Sequence, residues 1–148
     1  MARISVDGDI VVNAPFDVVS KALQDIEGEK EWIKELKSVE VLDRDDQGRV
    51  TAATLTVEIA KLGKDVYRND YQYPSADMTY QTTGSSIQKE QFGAYRVRDN
   101  GNGTSTFIVE ITVEAKVPAP GFMVKGITNT VMKATLKGFK EWVETTRV

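Results

Sequence analysis

The stretch DVYRNDYQYPSADMTY, residues 65–80, carries the densest set of groups able to do chemistry. At the two-residue period of a strand, Tyr67, Tyr71 and Tyr73 share one face. Val66, Arg68, Asp70 and Gln72 share the other. Inward tyrosines would offer phenol hydroxyls to a bound molecule on an otherwise apolar wall. Inward Arg68 and Asp70 would instead suit an enzyme that works by proton abstraction. Such an enzyme needs a carboxylate to take a proton next to a carbonyl and a cation or phenol to stabilise the enolate. The turn lengths decide between these arrangements. A four-residue turn at PSAD sets Tyr71 opposite Tyr80 and Tyr73 opposite Met78, whose face looks inward. A two-residue turn at Leu62-Gly63 would instead pair Val57 with Arg68, and a three-residue turn there restores the inward tyrosines. Apolar area favours the tyrosines inward, because a buried Arg or Asp costs several kcal/mol unless paired. Arg68 and Asp70, two apart on a strand, also fit an ordinary surface ion pair.

Several chemistries are excluded by composition. The 148 residues contain no Cys and no His, so disulfides, thiolate catalysis, sulfur-ligated zinc and the commonest neutral-pH base are all absent. A carboxylate base would need burial to raise its pKa. Net charge is −3 and no basic run exceeds two residues, so no nucleic-acid partner is expected. DRDDQG, residues 43–48, imitates half of a calcium loop, but Thr54 stands where a bidentate Glu is required, so it reads as a hairpin turn. Asn102 opens a formal glycosylation sequon that reads as turn chemistry. Neither a metal nor a cofactor is expected. No signal-peptide pattern and no apolar stretch of about 20 residues is visible, which points to a cytoplasmic chain without an integral membrane segment.

The elements that must hold these residues follow from periodicity. Arg3 to Val12 alternates as a strand with a kink at Gly8. Pro15 opens a short helix whose Phe16, Val19, Leu23 and Ile26 share a stripe, ended by Gly28. EKEWIKEL adds another turn or two of helix bearing Trp32, which is either a lid over an entrance or a core-packing side chain. After Ser38 the period changes to two. Six strands follow, joined mostly by hairpins, with Leu55 and Val57 sharing one face and Phe107, Val109, Ile111 and Val113 another. Gly93 interrupts one of these strands, and DNGNG turns the chain tightly.

From Gly121 to about Thr145 the period is helical, and Val124, Thr128, Val131, Met132, Thr135, Leu136, Phe139, Trp142 and Val143 fall on one face. A dry core prefers Leu or Ala to threonine there. Each hydroxyl either meets a ligand or bonds the carbonyl one turn back. Lys125 flanks the same face and would ordinarily snorkel to solvent. The arrangement is α+β, one domain over residues 1–148: a curved seven-stranded antiparallel sheet around a long C-terminal helix, with two short helices between strands 1 and 2.

Three phrases, IVVNAPFDVVSKALQDIEGEKEW, GAYRVRDNGNGTSTFIVEITVEA and VPAPGFMVKGITNTVMKATLKGFKEWVE, resemble the START-like helix-grip superfamily, in particular its small bacterial polyketide cyclase/dehydrase-type members. The resemblance covers essentially the whole chain and implies a cavity between the long helix and the sheet. Its expected lining is Trp32, Val57, Tyr67, Tyr71, Tyr80, Tyr95, Phe107, Val109, Phe122, Thr128, Val131, Met132 and Thr135. Binding or transport of a small hydrophobic or amphipathic ligand follows as the first expectation. The resemblance also allows a polyketide aromatase/cyclase or dehydratase using Arg68, Asp70 and Tyr71, or an adaptor for a protein partner or homodimer.

Overall fold

Two-residue alternation becomes a single antiparallel sheet. The computed structural model describes residues 3–59, 63–116 and 120–147. Its strands are β1 (Arg3–Val12), β2 (Leu36–Arg44), β3 (Val50–Ile59), β4 (Gly63–Gln72), β5 (Met78–Thr83), β6 (Gln88–Asp99) and β7 (Ser105–Ala115). They lie in the order β1-β7-β6-β5-β4-β3-β2, so every neighbour except β1–β7 is a hairpin partner. Helix α1 (Phe16–Leu23) and a 3₁₀ turn (Glu27–Glu31) separate β1 from β2, and α2 (Gly121–Thr146) closes the chain.

Some boundaries differ from the periodic reading. Helix α1 stops at Leu23, not at Gly28, and the chain turns through a 3₁₀ segment before Trp32. There Asp25 bonds the Gly28 amide and Glu29 carries the next backbone bonds, so side-chain capping replaces helical continuation. β2 starts at Leu36, before the change of period near Ser38. β6 runs unbroken through Gly93, which is opposite Tyr80, and a Cβ on Gly93 would lie 2.2 Å from that ring. The glycine makes room for an aromatic side chain and does not end the strand. Gly8 serves α2 in the same way: a Cβ there would lie 2.5 Å from Met132 Sδ.

The core is built where α2 meets β1 and β7. Phe107 and Phe139, both fully buried, stack with ring centroids 3.9 Å apart. Val12, Val109 and Val143 are equally inaccessible beside them. The end of α2 is fastened to the β1 exit: Glu144 accepts from the Asn13 amide at 2.8 Å and from Lys140 at 2.6 Å. These bonds hold the Glu144 carboxyl below its ordinary pKa. The 43–48 segment is a hairpin. Asp45 takes bonds from the Gln47 and Arg49 amides and from Arg49 Nε, and Gly48 has a φ of 83°.

Candidate functional site

Helix α2 covers one side of the sheet and leaves the other to side chains. It packs on β1 and β7, and α1 packs on β6 and β7. The inner faces of β4 and β5 carry tyrosines, and that of β3 carries Ala53, Leu55 and Val57. Tyr67 stands opposite Leu55, and Tyr71 opposite Tyr80. The Ile59–Gly63 pair closes this register around residues 60–62, which lie outside the described residues. Tyr71, Tyr80, Tyr95 and Trp32 form a chain of rings, with successive centroids 6.5, 6.2 and 6.3 Å apart.

Polar groups sit among these rings. Thr82 donates to Asn69 Oδ1 at 2.5 Å, and Asn69 donates to the Tyr71 hydroxyl at 3.2 Å, all three residues being buried. Gln91 donates to the Tyr80 hydroxyl at 2.6 Å, and Tyr73 donates to the Val50 carbonyl at 2.5 Å. Farther along β4, burial pushes the Asp65 carboxyl up, but bonds from Ser85 and Ser86 outweigh it and hold its pKa low. Burial keeps all five tyrosines protonated far above neutral pH, so they are hydrogen-bonding groups and not bases.

The 3₁₀ turn supplies the acid. Glu29 is 6% exposed, and burial, aided by the Asp25 charge, raises its carboxyl to about 8. When ionised, it would raise the already buried hydroxyls of Tyr67, Tyr71, Tyr73, Tyr80 and Tyr95 further. Trp32 Nε1, on the same turn, is buried and has no hydrogen-bond partner among the described residues.

The family described as polyketide cyclase / dehydrase and lipid transport matches residues 3–144. The chain belongs to that family. No functionally curated protein matches it in sequence. Among solved structures, a START superfamily protein from Mycobacterium smegmatis is 24% identical over 95% of this chain and 97% of its own, with a TM-score of 0.89. The Zhui aromatase/cyclase from Streptomyces sp. R1128 is 16% identical over 97% and 94%, with a TM-score of 0.77. A di-domain ARO/CYC, BexL, is 15% identical over 95% of this chain and 46% of its own, also at 0.77. These likenesses establish the START-like helix-grip fold for this member of the cyclase/dehydrase and lipid-transport family.

The structure divides the residues expected to line a cavity in this family member. Tyr67, Tyr71, Tyr80 and Tyr95 share the inner side of β4, β5 and β6, and Trp32 bridges from Tyr95 to Phe139 and Trp142 of α2. Val57 is buried on the same face of β3. Phe107, Val109 and Met132 are buried in the hydrophobic core that also holds Val57, Tyr71 and Tyr95, and Phe107 meets Tyr95 edge-on at 5.4 Å. Phe122 and Val131 are corrections: they are 78% and 53% exposed, because α2 turns them to the flanks of its buried stripe. Met123 and Ile127 are exposed in the same half of the helix.

Thr128 and Thr135 are corrections of another kind. Their hydroxyls donate to Val124 O at 2.7 Å and Val131 O at 2.9 Å, one helical turn back, which satisfies them without a ligand. Arg68 and Asp70 lie on the outer face, each about half exposed, and pair with one another at 2.9 Å. Neither reaches the tyrosine wall, and Asp70 lacks the burial a carboxylate base requires.

Glu29, Asn69, Thr82 and Gln91 join the site without having been singled out. Asn69 lies between Tyr67 and Tyr71 at the strand period, so alternation alone could have placed it inward. Trp32 stands just past the end of the 3₁₀ turn, and Glu29 lies within it. Its neighbours in EGEKE made it look like one more solvated charge.

A recess of about 660 Å³ lies on the opposite, outer face, where Asp70, Gln81, Phe92, Arg96 and Glu110 reach its walls. Its charges are mutually satisfied: Arg96 pairs with Glu110 at 2.9 Å and Asp70 with Arg68. It is an open saddle of a twisted sheet, whereas on the inner side Trp32 Nε1 is a buried donor without a partner among the described residues. Among the described residues no cluster of Asp or Glu has the make-up of a metal site.

Proposed function

We propose that the protein binds a small hydrophobic or amphipathic ligand, such as a lipid, isoprenoid or polyketide-like molecule, between α2 and the tyrosine-bearing strands. One observation carries this reading. The long helix packs on β1 and β7, while the inner faces of β4 and β5 carry tyrosines interspersed with buried polar groups. An apolar wall with a few placed polar groups is the usual make-up of a small-molecule site. Membership of a lipid-transport and cyclase family supports it. The aromatase/cyclase alternative loses the residues that first suggested it, since Arg68 and Asp70 pair on the outer face.

Native mass spectrometry of gently purified protein tests the reading, together with tryptophan emission during titration with lipid extract. Trp32 stands in the aromatic chain, so occupancy should shift emission and Trp32→Phe should remove most of the shift. A protein that carries nothing from broad extracts and shows no spectral change would refute ligand binding.

A further inference from the structure

The apolar side chains left on the surface are concentrated on one helix. Phe122, Met123, Ile127 and Val131, all in the first half of α2, are 78%, 49%, 58% and 53% exposed. The other large exposed hydrophobics among the described residues, Val11, Leu42, Val66 and Phe92, stand singly on four different strands. Single apolar residues on a surface need no partner, but a cluster does. At about 100° per residue, Met123, Ile127 and Val131 form one stripe at a spacing of four, and Phe122 projects about 140° away from Ile127. Only Val124 and Thr128 of this half are buried.

The charge on the same helix has one sign. Residues 121–140 hold Lys125, Lys133, Lys137 and Lys140 and no Asp or Glu. That segment carries +4 in a chain of net charge −3, which leaves −7 on all other residues. Lys140 is engaged by Glu144 and the Val11 carbonyl. Lys125, Lys133 and Lys137 are exposed, and none has an ion pair among the described residues.

These two features choose the occupant. A second copy meeting this helix about a twofold axis would bring its lysines against their own kind. A protein groove grips one stripe of a helix, whereas Phe122 stands well off the stripe of Met123 and Ile127. Apolar side chains spread round a helix start and flanked by unpaired lysines suit a segment lying in a membrane interface. There the apolar groups enter the acyl boundary and the ammonium groups reach anionic headgroups. No described helix is long and apolar enough to cross a bilayer, so such a contact is peripheral.

We propose that the first half of α2 docks the protein on an anionic membrane surface. Phe122, Met123 and Ile127 enter the interface, and Lys125, Lys133 and Lys137 meet the headgroups. This contact does not depend on the ligand reading above. Sedimentation of the full chain with sucrose-loaded vesicles tests it, with melting temperature as the check on folding.

Phosphatidylcholine vesicles holding about 30% phosphatidylglycerol should bind the chain at least about tenfold more tightly than pure phosphatidylcholine. Raising NaCl from about 0.05 to about 0.5 M should remove most of that advantage. Ile127→Asp should weaken binding at least about tenfold. Lys133→Gln with Lys137→Gln should lose about tenfold on the anionic vesicles alone. Leu42→Asp, the same kind of change at an exposed site on β2, should stay within about twofold of the natural chain. Binding to neither vesicle overturns the proposal, as does equal binding to both, or a folded Ile127→Asp that binds as the natural chain does. A dimer that Ile127→Asp dissolves, with no vesicle binding, assigns the face to a second copy and overturns it too. Preferential binding to the anionic vesicles by a chain that retains no ligand from extracts supports the docking surface and refutes only the ligand reading.

Discussion

At the scale of single residues, burial separates groups that look alike in sequence. Glu29 and Glu27 stand two apart in one turn, but only Glu27 reaches an arginine. The sign of the pH effect follows from the direction of the Glu29 shift. Between about 4.5 and about 8 the folded state keeps a proton that the unfolded chain has released, so stability falls as pH rises through that window. The effect is roughly 1.4 kcal/mol per pH unit at most. Glu29→Gln, neutral at every pH, should flatten this slope and melt above the natural chain near pH 8. Identical pH–melting curves for the two proteins would place the carboxyl in solvent. Thr128 and Thr135 make the converse point: a hydroxyl on a buried helix face is explained by its own backbone once the 2.7 and 2.9 Å bonds are seen. These three residues were the least legible in the sequence, because local pattern carries no information on which charged or hydroxyl group finds a partner across the fold.

At the scale of elements, α2 is two helices in one. Its later half buries Met132, Leu136, Phe139, Trp142 and Val143, while its first half buries Val124 and Thr128 and exposes Phe122, Met123, Ile127 and Val131. The glycines of the two halves should respond differently. Nothing lies within 4 Å of a Cβ built on Gly126, so Gly126→Ala should stabilise the protein by up to about 1 kcal/mol through helix propensity. A Cβ on Gly138 would lie 3.0 Å from the Trp32 carbonyl, so Gly138→Ala should gain nothing or lose stability. Urea denaturation midpoints of the two variants check this, and an equal gain in both would mean that Trp32 does not approach α2 closely. Helical periodicity assigned Val131 to the buried stripe because the stripe is judged from one helix alone. Val131 falls beside the buried line of Val124, Thr128 and Met132, and only the assembled fold shows how narrow that line is.

At the scale of the whole molecule, one core runs from the aliphatic and Phe side chains under α2 to the tyrosines of β4, β5 and β6. Phe139→Ala under α2 should cost about 3–5 kcal/mol, since the ring is fully buried and stacked on Phe107. Tyr67→Phe at the tyrosine end should change stability by less than about 1 kcal/mol, because the Tyr67 hydroxyl has no partner among the described residues. Comparable losses from the two substitutions would show that both ends of that core are packed alike. The order of strands and helices, the hairpin turns and the alternation that turns the tyrosines inward were all readable from the chain. Each depends on neighbours within a few residues, where period and turn chemistry act. The facing of residues 65–73 was decided by apolar area and turn length together, and Leu55 opposite Tyr67 records the result. What the linear sequence left open was decided by distance across the fold. It set which half of α2 meets the sheet, which carboxylate is left without a cation, and which face Arg68 and Asp70 share with solvent. Those outcomes rest on the balance between desolvation and pairing, and that balance has no value until the partners are brought within reach.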